Sequence, residues 1–142
     1  LDGLYCGRKH SSYAMHFPNA PFFNKIYPYA NPEWPSCILA SLDGVALDSV
    51  GLDILYSQTR NNIDVDNQNR PWMLIRENAD DYLHEMASVE NPPSGTKYIQ
   101  NGKPVASLGV HEHWDSDQTR RYSRNIDPIK GEGIELIYNK IS

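Results

Sequence analysis

Prolines recur at short intervals through the first 35 residues, and this feature restricts where a regular fold can begin. They are Pro18, Pro21, Pro28, Pro32 and Pro35. Because proline lacks a backbone N–H and its ring blocks the preceding helical turn, this segment excludes a long helix or a central strand. Its many aromatic side chains are expected to pack onto the domain or to form a surface for a sugar or a partner. The regular part of the fold is therefore predicted to follow this segment.

Two amphipathic helices are predicted beyond residue 43. Apolar residues at the i, i+3, i+4, i+7 and i+8 spacing form one face of a helix. The spacing occurs twice, first at Leu47, Val50, Gly51, Ile54 and Leu55, then at Ala79, Tyr82, Leu83, Met86 and Ala87. Asp43 and Asn78 are predicted to be the N-caps, because their side chains can accept hydrogen bonds from the free amides of the first turn.

Short strands are predicted around these helices. The apolar run 36–40, which precedes the turn residues Asp43 and Gly44, is typical of a buried strand. Asn101-Gly102 is the preferred two-residue turn of a hairpin, here over residues 98–105. Further strands are expected over 105–114 and 134–138. The predicted fold class is α/β: a small mixed sheet, two main helices and a long proline- and aromatic-rich N-terminal loop region.

Residues 1–142 have the length of a single domain. The first residue is Leu1 rather than methionine, so the sequence is expected to be the C-terminal portion of a longer chain and part of a larger α/β domain. The missing N-terminal half, a partner subunit or a second copy in a homo-oligomer are the partners that this interpretation predicts.

The charge balance excludes two classes of partner. The chain has 13 Lys and Arg against 18 Asp and Glu, a formal net charge of −5. Such a chain is not expected to bind nucleic acid nonspecifically or to dock on anionic membrane. Its apolar runs are far shorter than the roughly 20 residues that a membrane-spanning helix needs, so no membrane insertion is expected.

The small number of cysteines limits the cofactors that this chain could bind alone. Cys6 and Cys37 are too few for a four-thiolate cluster, so no iron–sulfur cluster is expected from this chain alone. Either one disulfide or two buried thiols would account for them.

The segment 110–115 contains the strongest candidate for chemistry. On an extended backbone, alternate side chains point the same way, so His111, His113 and Asp115 are predicted to share one face. Two imidazoles at this spacing can bind one divalent metal ion, and Asp115 could add an oxygen ligand.

A third nitrogen ligand is predicted from His84 on the second helix. Asp80 and Asp81, at i−4 and i−3, lie on the same helix face and could orient its ring. Two other interpretations of the histidines remain open: a site for a polar substrate or an anion, and histidines that serve only in structural hydrogen bonds.

Asp48 and Arg124 are candidate ligand-binding residues at the edge of this site. Asp48 lies near the start of the first predicted helix, and Arg124 ends a run with three arginines in five residues. A guanidinium group could grip a carboxylate or a phosphate. The alternative for both is an ordinary structural or surface charge. The sequence has no phosphate-binding glycine loop, nucleophile elbow or His-Glu-x-x-His motif, so it gives those enzyme classes no support.

Several strings agree in order with a known family. The segments are 2–4, 38–51, 81–85, 91–96, 107–114, 122–125 and 131–136. Together they resemble the C-terminal half of the domain of unknown function 362 family, in an exported bacterial branch. The resemblance implies an α/β domain, but the family has no settled reaction and supplies no catalytic roles. Some relatives carry iron–sulfur cysteines or twin-arginine export signals, which this sequence lacks.

The sequence departs from the family pattern at Asp43-Gly44, where relatives more often have Asp-Pro. Cys6 and Cys37 are also not positions where the family has cysteine. Two such cysteines together favour a disulfide, and with it an extracytoplasmic location, periplasmic or secreted.

The leading functional prediction is an exported bacterial α/β domain with a polar pocket that binds a divalent metal ion. Two alternatives stay open. One is a non-catalytic structural or self-assembling extracellular module, with the aromatic segment 13–35 as its interface. The other is an accessory redox protein whose iron–sulfur part lies outside this sequence.

Overall fold

Within the residues that the structure describes, the fold consists of three helices and one small antiparallel sheet. A computed structural model describes residues 38–59 and 71–139, with side chains described for 38–57 and 79–139. In chain order the elements are α1 (Gly44–Thr59), α2 (Pro71–Ala87), β1 (Ile99–Gln100), β2 (Lys103–Pro104) and α3 (Ser123–Ile126). The predicted small mixed α/β fold is confirmed for these residues.

Helix α1 begins where the sequence predicts. The Asp43 Oδ1 atom accepts a hydrogen bond of 2.9 Å from the Ala46 amide, which has no partner within the helix. Asp43 is therefore the N-cap, as expected.

The core forms along one side of α1. Six buried side chains cluster there: Ala46, Val50 and Ile54 of α1 with Trp114, Tyr122 and Ile134 from the C-terminal part of the chain. The Trp114 and Tyr122 rings lie 6.3 Å apart at an angle of 53°. Helix α1 also packs against α2. Among the described residues, the C-terminal part of the chain and α2 thus cover two sides of α1.

The buried face of α1 is consequently different from the predicted apolar stripe. Leu55, a member of that stripe, is 53% exposed, whereas the polar residues Ser49, Asp53 and Ser57 are buried. A helix covered on two sides buries a wider arc than a single stripe, and the additional arc holds polar side chains that need internal partners.

Helix α2 begins earlier than predicted. It starts at Pro71, so Asn78 lies inside the helix and the predicted Asn78 cap is wrong. Proline is favoured in the first helical turn because the amide that it lacks would be unpaired there. Leu83 is buried as expected, but Tyr82 is 67% exposed.

The predicted hairpin is confirmed. Strands β1 and β2 pair antiparallel, with Ile99 opposite Pro104 and Gln100 opposite Lys103. The two turn residues have positive φ, 53° at Asn101 and 74° at Gly102. This is the conformation that makes Asn-Gly the preferred sequence for a tight hairpin turn.

The other predicted strands are absent from the described residues. Ile38 forms only an isolated bridge and is 84% exposed, so the buried strand at 36–40 is wrong in its described part. The segments 105–114 and 134–138 also lie outside any strand. Side chains replace the missing strand partners. The Asn125 amide, for example, donates to the Leu136 carbonyl oxygen at 3.0 Å and accepts from the Leu136 amide at 3.0 Å.

Two sequence predictions fall outside the described residues. They concern the proline- and aromatic-rich N-terminal segment and the pairing of Cys6 with Cys37. Among the described helices, none combines the length and the apolar character needed to cross a membrane.

Candidate functional site

Two aspartates hold the segment 110–114 against α1. The Val110 amide donates to Asp43 Oδ2 at 2.9 Å, and the Trp114 amide donates to Asp53 Oδ2 at 3.0 Å. Ten helical residues separate the two aspartates, about 15 Å along the axis at roughly 1.5 Å each. Four residues of extended chain span about 13 Å. The two lengths match, so the segment runs extended beside the helix, and neither of the two described strands pairs with it.

A glycine permits the close approach at the start of this segment. A Cβ atom on Gly109 would collide with the carboxyl group of Asp43, and Gly109 has a positive φ of 154°. Since the same carboxylate caps α1 and binds the Val110 amide, a side chain at position 109 would displace the residue that links the helix to the segment.

His111 is held from both sides of its ring. Its Nδ1 atom lies 2.8 Å from Ser49 Oγ, and its Nε2 atom lies 2.9 Å from Asp80 Oδ1. The Ser49 hydroxyl donates its single hydrogen to the Val45 carbonyl oxygen at 2.7 Å. The Ser49 oxygen is therefore the acceptor for His111, which places a proton on Nδ1.

His113 lies beside His111, with the two ring centres 5.0 Å apart. Its Nδ1 atom is 2.7 Å from Asp53 Oδ1, and its Nε2 atom is 2.8 Å from Asp80 Oδ1. Carboxylate oxygens only accept hydrogen bonds, so His113 donates from both nitrogens and is the charged imidazolium in this arrangement. The hydrogen bond with Asp53, opposed by burial, raises the pKa of His113.

Asp53 joins the site to the core. Its side chain is 5% exposed, and its Oδ2 atom accepts hydrogen bonds from the Trp114 amide at 3.0 Å and the Tyr122 hydroxyl at 2.8 Å. Burial and the adjacent Asp53 carboxylate raise the pKa of Tyr122, which keeps the phenol protonated as a donor. Asp53, which orients His113, is therefore itself held in place by hydrogen bonds from two core residues.

Asp80, His84 and His111 form a group that could hold a metal ion. Each offers one ligand atom, and these atoms all lie within 4.8 Å of one another. The His84 ring meets the His111 ring edge to face, with centres 4.4 Å apart. Asp80 and His84 are four residues apart on α2, so successive turns of one helix present both to the segment 110–114.

The protonation of this group suits a cation. Burial lowers the pKa of His111, which favours the neutral imidazole that ligates metals. Burial opposes ionisation of Asp80, but the nearby His113 and His111 outweigh it, and the pKa of Asp80 lies below its ordinary value. Asp80 is therefore a carboxylate at neutral pH.

Three predicted site residues lie elsewhere. Asp115 accepts hydrogen bonds from Thr119, from Arg121 and from the Ser116 amide, so its carboxylate is used in its own loop. It is not among the converging ligand atoms. Asp48 is exposed on α1. Arg124 pairs with Glu135 at 3.6 Å, and both side chains are about half exposed.

The sequence prediction missed the roles of Ser49, Asp53 and Asp80. Asp80 was expected only to orient His84. The signal available was the position of Ser49 and Asp53 four residues apart on α1, where one face can present both to the same partner. Nothing in the sequence marks that face as the one turned toward the histidines.

Ser49, His111 and Asp80 form a row of hydrogen bonds that resembles a nucleophilic triad. The resemblance does not extend to function, because the Ser49 side chain is fully buried and its hydroxyl donates to a helix carbonyl. A nucleophile must reach its substrate and give its proton to the histidine. In this site the serine instead orients the histidine.

No protein-family model, curated protein or solved structure matches this chain. The resemblance to the domain of unknown function 362 family stays a prediction.

Proposed function

We propose that this domain binds one divalent transition-metal ion through Asp80, His84 and His111, with Ser49, Asp53 and His113 as the groups that orient these ligands. One observation carries the proposal. The ligand atoms of Asp80, His84 and His111 all lie within 4.8 Å of one another, although the residues come from α2 and from the separate segment 110–114. A divalent cation bound among these three atoms would be held by both parts of the chain.

The donors favour a particular class of metal. Two imidazole nitrogens and one carboxylate oxygen are suited to Zn²⁺ and its neighbours such as Co²⁺ and Ni²⁺. Ca²⁺ and Mg²⁺ prefer sites built from oxygen ligands alone. Two ligand atoms at about 2.0 Å from one tetrahedral ion lie about 3.3 Å apart. The separation of 2.9 Å between His111 Nε2 and Asp80 Oδ1 would need to widen by only a few tenths of an ångström.

The surrounding contacts also support a metal site. The nitrogen of a ligand histidine that faces away from the metal usually donates to a carboxylate or another polar group, which fixes the ring and its tautomer. Ser49 provides this partner for His111.

The two other interpretations of the histidines fit less well. An anion would have to approach rings that already face the carboxylates of Asp53 and Asp80, and these charges would repel it. A purely structural arrangement does not require the exposed His84 to converge with Asp80 and His111, yet the ligand atoms of all three lie within 4.8 Å of one another.

The experiment is metal titration of protein produced without a histidine tag and freed of metal with a chelator. We expect one equivalent of Zn²⁺ to bind the wild-type chain. Asp80→Asn and His111→Ala should lose at least about tenfold in affinity, because each removes a ligand.

Asp81→Asn is the matched control for Asp80→Asn. Asp81 is the next residue on α2 and is exposed, so its substitution makes the same change in charge without removing a ligand. Equal affinity for wild type and Asp81→Asn supports the proposal. A wild-type chain that binds less than a tenth of an equivalent, or an Asp80→Asn chain that binds as tightly as wild type, contradicts it.

A further inference from the structure

The three candidate ligands differ in their access to solvent. The His111 side chain is fully buried, the Asp80 side chain is 25% exposed, and His84 is exposed. The groups behind the site, Ser49 and Asp53, are also buried. The site is therefore closed on the side of α1 and open to solvent where His84 and Asp80 lie.

His113 stands beside the ligand group rather than within it. It is outside the set of atoms that lie within 4.8 Å of one another, although its Nε2 atom is 2.8 Å from Asp80 Oδ1. Both of its nitrogens already donate to carboxylates, one to Asp53 and one to Asp80. These contacts give His113 the place of a hydrogen-bond donor to a ligand carboxylate.

Three protein ligands leave one position of a tetrahedral ion to another molecule. Structural zinc sites use four protein ligands and are closed, whereas sites with three protein ligands keep a position for water or substrate. The three ligands and the exposed side of the site belong to this second class.

We propose that the site is an open metal centre that takes an oxygen-donor monoanion from solvent, of the carboxylate or hydroxamate class, on the side lined by His84 and Asp80. This inference rests on the proposed function. The charge supports it: a divalent ion bound by the single ligand carboxylate of Asp80 and two neutral imidazoles leaves a net charge of about +1 on this group. A monoanion neutralises a centre with this charge, whereas a polyanion such as phosphate would leave the occupied site with a net negative charge.

The test uses the full chain loaded with Co²⁺, whose visible absorption reports the number and type of ligands. Acetohydroxamate is the probe, because it is a small monoanion that binds metals through oxygen. We expect a saturable change in the cobalt spectrum, with the cobalt remaining on the protein after dialysis. A cobalt spectrum that saturating acetohydroxamate leaves unchanged would overturn the inference, as would loss of the cobalt to the dialysate.

His113→Gln separates an open site from a closed one. If His113 donates only a hydrogen bond, the variant binds Co²⁺ more weakly but still responds to acetohydroxamate, as wild type does. If His113 is instead a fourth ligand, the wild-type spectrum stays unchanged and only the variant responds, which would overturn the inference. Failure of the metal proposal itself has a different signature, since the wild-type chain would then give no protein-bound cobalt spectrum.

Discussion

The Tyr122 hydroxyl donates a 2.8 Å hydrogen bond to Asp53 Oδ2, and the two side chains are 0% and 5% exposed. Asp53 Oδ1 in turn accepts from His113 at 2.7 Å. One buried carboxylate thus connects the core of the domain with the ring that lies against Asp80.

Removing the phenol oxygen should destabilise the domain. In Tyr122→Phe, Asp53 Oδ2 loses one of its two donors and stays buried, which costs about 1–3 kcal/mol for a group left partly unsatisfied. Urea denaturation measures the change in the free energy of unfolding. Tyr82→Phe is the control, because Tyr82 is 67% exposed and its change should stay within about 0.5 kcal/mol. Equal stability of the two variants would contradict the assigned hydrogen bond.

The orienting role of Ser49 predicts a change in metal affinity. Ser49→Ala removes the acceptor for His111 Nδ1 and leaves all three ligands, so Zn²⁺ should bind at one equivalent with affinity lowered about 10–100-fold. Ser57→Ala is the matched control, since Ser57 is also buried on α1 and also donates to a helix carbonyl, that of Ile54 at 2.7 Å. Competition with a colorimetric zinc indicator measures both. The prediction fails if the two serine variants lose affinity equally.

Gly109 should tolerate no side chain. In Gly109→Ala the new Cβ collides with the Asp43 carboxyl group, which must leave the Ala46 amide, the Val110 amide or both. Loss of the cap alone costs about 1 kcal/mol, and Zn²⁺ affinity should fall as the segment 110–114 shifts. Gly44→Ala is the comparison, because a Cβ there meets no atom within 4 Å. Thermal unfolding and zinc titration of both variants provide the measurement, and a Gly109→Ala chain that matches Gly44→Ala in both would contradict the contact.

The sequence could predict those parts of the fold that depend on local chemistry. The Asp43 cap, the Asn101-Gly102 turn and the existence of α1 and α2 all follow from residues close together in the chain. The strand predicted at 134–138 is wrong, because the groups that pair with this segment come from other parts of the chain. Both backbone groups of Leu136 are paired by the Asn125 side chain, and sequence periodicity does not show that a side chain will replace a strand.

The candidate site could likewise be predicted from the sequence only in part. The neighbouring rings of His111 and His113 could be predicted from alternation along an extended segment. The roles of Asp80, Ser49 and Asp53 could not, because they depend on how α1 and α2 pack beside that segment. Asp115 continues the alternation but leaves the site, since its loop supplies nearer donors from Thr119 and Arg121.

Asp115 should affect stability rather than metal binding. Its hydrogen bonds, chiefly that from the Thr119 hydroxyl, lower the pKa of Asp115 to about 2. Because the carboxyl titrates near 3.9 in the unfolded chain, its contribution to stability is present above about pH 4 and disappears as the pH falls through about 2.

Asp115→Asn should therefore be less stable than wild type at pH 7, and most of this difference should be gone at pH 2. Denaturation midpoints at these two pH values test this. Zinc stoichiometry should stay at one equivalent, and its loss in this variant would instead identify Asp115 as a ligand.

The most direct test of the proposed metal site follows the imidazole nitrogens of ¹⁵N-labelled protein by NMR as Zn²⁺ is added. We expect one equivalent to shift His111 Nε2 and one nitrogen of His84 to metal-bound values. His111 Nδ1 should keep the proton that it donates to Ser49. Zinc that leaves the His84 and His111 resonances unchanged, or that binds His111 through Nδ1, would contradict the proposed site.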